Sequence, residues 1–67
     1  MNTTEALWVA YGDGRVVGAI RKHEDAYTVT IAGADDVLGT YPTMDVAKSA
    51  LHANLSPGSD WPVFRQH

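Results

Sequence analysis

The dipeptide Asp13-Gly14, set between two β-prone runs, constrains this chain more than any other feature. A two-residue hairpin turn of type I′ needs positive φ at both central positions, and Asp-Gly adopts them at little cost. It therefore pairs residues 6–11 (Ala-Leu-Trp-Val-Ala-Tyr) with residues 16–22 (Val-Val-Gly-Ala-Ile-Arg-Lys) as antiparallel strands. Residues 27–32, Tyr-Thr-Val-Thr-Ile-Ala, alternate large apolar side chains with Thr or Ala, the period-two pattern of a strand with one buried face. Polar breaks at 23–26 (His-Glu-Asp-Ala) and 33–36 (Gly-Ala-Asp-Asp) turn the chain on either side of it, and 37–41 (Val-Leu-Gly-Thr-Tyr) forms a fourth, short strand.

Pro42 cannot extend a sheet ladder, and Thr43 is a good helix N-cap. Asp45 in the first turn complements the helix dipole. Met44, Ala47, Leu51 and Leu55 form one apolar stripe at helical spacing, widened by Ala50 and Asn54. The helix should end near Leu55, because Ser-Pro-Gly-Ser follows at 56–59. The expected fold is α+β: an antiparallel meander of three to four strands with one C-terminal helix packed on one face. Residues 1–67 make a single domain with its core at about 6–55. The tail, 56–67, contains Trp61, Val63 and Phe64 and is too apolar for a frayed end, so it should pack on the domain.

Two-residue first and second turns, with two or four residues in the third, would fix which residues share a face. Leu7, Val9, Tyr11, Val16, Ile20, Tyr27, Val29, Ile31 and Leu38 fall on the side that should receive the helix. Trp8, Ala10, Val17, Ala19, Arg21, Thr28, Thr30, Ala32, Val37, Gly39 and Tyr41 fall on the other. Gly18 would let the helix approach the sheet closely, or else mark a bulge. The second face has a single charge and two large aromatics, unlike an ordinary solvated surface.

A chain of 67 residues buries only roughly 60% of its unfolded surface and is marginally stable. With no Cys, neither disulfides nor thiolate metal sites reinforce it. Hydrophobic residues are 45% of the chain, but nine of them are Ala, which leaves one thin core and no room for an internal pocket. No apolar run is long enough to span a membrane, and the first residues, Met-Asn-Thr-Thr-Glu, lack the basic and apolar regions of a signal peptide. The expectation is a cytoplasmic protein.

Few residues suggest chemistry. His23-Glu24-Asp25 could ligate a metal, but no second cluster has metal-site spacing, and the segment reads as a polar turn. His52 falls at the helix edge and His67 in the tail. Asp35-Asp36 reads as turn chemistry rather than an acid–base pair. Nucleophile-elbow, P-loop and dinucleotide fingerprints are all lacking. Neither enzyme activity, nor a cofactor, nor a metal is expected. The leading expectation is a non-catalytic module that binds a protein partner or a second copy through Trp8, Val17, Arg21, Thr28, Thr30 and Tyr41. In a competing reading, Trp61, Val63 and Phe64 cover that face. DNA or RNA binding through the same face, with Arg15, Arg21 and Lys22 at the phosphates, is the alternative. The net charge of -3 weighs against it.

The corner Leu38-Gly39-Thr40-Tyr41-Pro42-Thr43, followed by Asp45-Val46-Ala47-Lys48-Ser49-Ala50-Leu51, resembles the arm-type, AP2-like DNA-binding domain at the N-terminus of phage-type tyrosine integrases. The resemblance covers roughly residues 16–55. It implies a sheet face entering the major groove with Trp8, Arg21, Thr28, Thr30 and Lys22, and a phage or actinobacterial source. The chain departs from that pattern in being acidic and in placing only Arg21 squarely on the reading face.

Overall fold

A computed structural model describes residues 6–55 and 60–67. The expectations for the start of the chain, 1–5, and for the breaker at 56–59 fall outside the described residues. Five strands and one helix follow in the order β1 (Ala6–Gly12), β2 (Arg15–His23), β3 (Ala26–Ile31), β4 (Val37–Tyr41), α1 (Met44–Ala53) and β5 (Val63–Gln66). They form one antiparallel sheet in the order β4-β3-β2-β1-β5, with the helix lying over β2, β3 and β4. The α+β class, the four-strand meander and the helix agree with the sequence reading. The fifth strand is an addition.

The first turn forms as its residues dictate: Asp13 has φ 55° and Gly14 φ 78°, and Gly12 pairs with Arg15. The second turn is less comfortable, because Glu24 also sits at φ 56°. A left-handed conformation costs a residue with a Cβ roughly 1–2 kcal/mol, and Asn bears it better than Glu. Glu24→Asn is expected to raise stability by about 0.5–1 kcal/mol, read as a higher urea midpoint.

The helix starts on the expected N-cap and ends at Ala53, with Asn54 as its C-cap rather than part of its stripe. The Val46 N–H donates to the Thr43 hydroxyl at 3.2 Å, and Asn54 closes the other end. Ala47 and Leu51 are fully buried, with Met44 and Leu55 packed against them. The core beneath is Ala10, Ile20 and Val29.

Two irregularities overturn the assignment of faces. Tyr11 pairs with Val16, but Ala10 pairs with Gly18, so Val17 is an extra residue in β2. Val29 pairs with Gly39 and Thr30 with Val37, so Leu38 is extra in β4. A bulge inserts one residue and reverses the parity of everything beyond it. Trp8, Ala10 and Tyr41 therefore turn toward the helix, and Val17 at the bulge also packs against the core. Leu7, Val9, Tyr11 and Val16 turn outward. Ile20, Tyr27, Val29, Ile31 and Leu38 keep the side expected of them.

Volume explains why this arrangement is preferred. On the helix side, one row runs Ile31, Gly18, Ala10, Phe64, small in the middle and large at the ends. Leu51 fills that hollow. A Cβ on Gly18 would lie 2.9 Å from Leu51 Cδ1 and 2.7 Å from the Thr30 carbonyl oxygen. Gly18 thus sits beside the bulge and also admits the helix. Gly18→Ala is expected to cost about 1–3 kcal/mol in chemical denaturation, as overpacking does.

The tail joins the domain, but not by covering the outer face. β5 pairs with β1 through Trp8–Gln66, Val9–Arg65, Ala10–Phe64 and Tyr11–Val63. Phe64 packs against the core and Pro62 is buried. Trp61, expected to be the packed residue, is 53% exposed, with its ring 4.5 Å from that of His52. Among the described residues no helix is long and apolar enough to cross a membrane.

Candidate functional site

With the helix on one side and the tail at the edge, no described element covers the outer face of the sheet. The register assigns its residues row by row. Val63, Tyr11 and Val16 form one row. Arg65, Val9, Ala19, Thr30 and Val37 form the next. Leu7, Arg21, Thr28 and Thr40 form the third, where the His67 N–H donates to the Leu7 carbonyl at 2.7 Å.

The face is apolar at its centre. Val9, Tyr11, Val16, Ala19, Thr30 and Ala32 line an open groove of about 370 Å³. Val16, Val37 and Val63 are 47%, 54% and 58% exposed. A second open hollow, about 600 Å³, adjoins it at the β1–β2 turn, between Tyr11, Asp13, Val63, Arg65 and His67. The Tyr11 hydroxyl and His67 Nε2 are hydrogen-bonded at 3.2 Å, which lays the tyrosine ring along the sheet. The Thr28 and Thr40 hydroxyls bond to each other at 3.3 Å across β3 and β4.

The residues singled out by sequence divide between the two sides. Arg21, Thr28 and Thr30 are on the outer face together. Trp8 and Tyr41 are on the helix side, with the Trp8 ring 6.3 Å from that of Tyr27, and Val17 packs against the core. The three basic residues are also separated. Arg21 is outside, Lys22 sits on the helix side with its ammonium 5.9 Å from the Tyr27 ring, and Arg15 borders the helix-side hollows with Leu55. Val9, Tyr11, Val16, Val63, Arg65 and His67 are the residues sequence reasoning missed. The signal for the first three was Val16-Val17-Gly18, two β-branched residues before a strand glycine.

Among the described residues no three His, Asp or Glu side chains gather in a way that could hold a metal ion. His23 Nε2 is 3.5 Å from the Glu24 carboxylate at the exposed second turn. Asp35 and Asp36 are exposed in the loop before β4. No family model, curated protein or solved structure matches the chain.

Proposed function

We propose that this protein is a non-catalytic interaction module that docks a protein partner on the outer face of its sheet. One observation carries the reading: an apolar groove from Val9 to Thr30, on a face that no described element covers. A domain this small gains little by leaving several valines in water, and contiguous exposed apolar surface is characteristic of contact sites. The groove is wide and shallow, which suits a flat protein contact better than a small substrate. Arg21, Thr28 and Thr30 remain in the proposed contact set. Val9, Tyr11, Val16 and Arg65 take the places of Trp8, Val17 and Tyr41. A cytoplasmic location belongs to the same proposal.

The test is a captured partner, purified and titrated into isotope-labelled protein. Amides of Val9, Ala19 and Thr30 should shift, and affinity should fall far less steeply with salt than binding to phosphates does. Duplex DNA at physiological salt should show no specific binding, which typically reaches about 10⁻⁸ M or tighter. Submicromolar DNA binding that weakens steeply with salt and is lost in Arg21→Ala would replace this reading with the nucleic-acid one. Amide shifts confined to the helix side would remove the outer face altogether.

A further inference from the structure

We infer that the occupant of the outer face is an acidic segment of another protein, with apolar side chains between its carboxylates. This rests on the outer-face reading and adds the chemistry of the partner.

The charges are segregated by element. The net charge is -3, yet every charged residue within the described strands is basic: Arg15, Arg21, Lys22 and Arg65. The described acids sit elsewhere. Asp13, Glu24, Asp25, Asp35 and Asp36 are in the turns, Asp45 is on the helix, and Asp60 precedes β5. On the outer face the strands therefore present Arg21 and Arg65, with Leu7, Val9 and Ala19 between them. Two strand spacings and one two-residue step separate the arginines by about 12 Å. Carboxylates above them, with aliphatic side chains between, would meet positive charge at both ends and Leu7, Val9 and Ala19 in the middle, with the apolar groove alongside.

Two other occupants fit less well. A nucleic-acid strand carries evenly spaced phosphates, and these would run over the acidic turns at the sheet ends. Its bases need aromatic platforms. Here the centre is aliphatic, and among the described residues the rings on this face are Tyr11 and His67 alone, too few to carry a strand of bases. A second copy laid face to face would bring arginine toward arginine, and like charges across an interface disfavour it.

The experiment uses the intact chain and a fluorescent synthetic peptide of alternating Glu and Leu. The probes for comparison are a Lys–Leu peptide and polythymidine. Anisotropy should show binding of the glutamate peptide alone, with amide shifts at Val9, Ala19, Arg21 and Thr30. Arg21→Glu with Arg65→Glu should weaken it about tenfold or more. If that pair disturbs the amide spectrum, Arg21→Gln with Arg65→Gln should still weaken it several-fold. Failure of the glutamate peptide to bind overturns this inference, as does equal binding of the lysine peptide, tighter binding of polythymidine, or indifference to the arginine variants. All four leave the outer-face reading standing where a captured partner still shifts those amides. Shifts confined to the helix side overturn both.

Discussion

Ala10→Asp is expected to unfold the domain, and Val9→Asp to leave it folded. Ala10 is completely buried between Gly18 and Phe64, within the core cluster. A carboxylate there either stays charged in an apolar setting or binds a proton to avoid it, and each costs several kcal/mol. A chain of this length has a total stability of about 3–10 kcal/mol, so the loss is of the same order as the whole. Val9 is the very next residue, yet it faces outward in the row of Arg65 and Ala19. Val9 is half-buried on a face open to water, so aspartate there can stay hydrated beside a guanidinium and should cost about 1–2 kcal/mol, far less than at Ala10. Simple alternation from the Asp13-Gly14 turn gives the opposite ranking, so the pair tests the Val17 bulge directly. Circular dichroism and amide dispersion are sufficient readouts. An unfolded Val9→Asp beside a folded Ala10→Asp would restore the unbulged register.

Leu51→Ala is the second large effect. Leu51 is among the largest fully buried side chains and fills the hollow above Gly18. Removing a buried leucine costs about 2–5 kcal/mol, the higher values where the site cannot collapse. Collapse is hard here, because the floor is backbone and a glycine. The chain should be largely unfolded at physiological temperature and poorly cooperative on heating. Val46→Ala, on the exposed side of the same helix at 44% exposure, is the control and should be close to neutral. Comparable losses in both variants would mean that the helix itself, rather than its contact with the sheet, had been weakened.

Much of this architecture was legible in the residues. Asp13-Gly14 specified a hairpin, the Tyr27–Ile31 alternation a strand, and Pro42-Thr43 a corner with a capped helix after it. Each signal is local: a φ preference, a missing N–H, a side-chain oxygen placed for a backbone donor. All of them hold in the fold. The stripe of Met44, Ala47, Leu51 and Leu55 was equally plain, because helical period depends only on spacing.

The candidate site was legible only in part. Arg21, Thr28 and Thr30 lie between the two bulges in register terms, so their outward direction was counted correctly. Trp8 and Tyr41 lie beyond the bulges, where one unpaired residue reverses every later assignment. β5 escaped because Val63–Gln66 is short, carries Arg65 and Gln66, and has no hairpin partner next to it in sequence. Its pairing with β1 is a long-range event.

By itself, then, the sequence determined the elements, their turns and the helix stripe, since those follow from backbone preferences within a few residues. Which side of each strand faces the helix was decided only by tertiary structure. Leu51 needs the space left by Gly18 and Ala10, and the row closes with Phe64 at its edge. Satisfying that packing requires the extra residue at Val17, and the same residue turns Val9, Tyr11 and Val16 outward to make the exposed face.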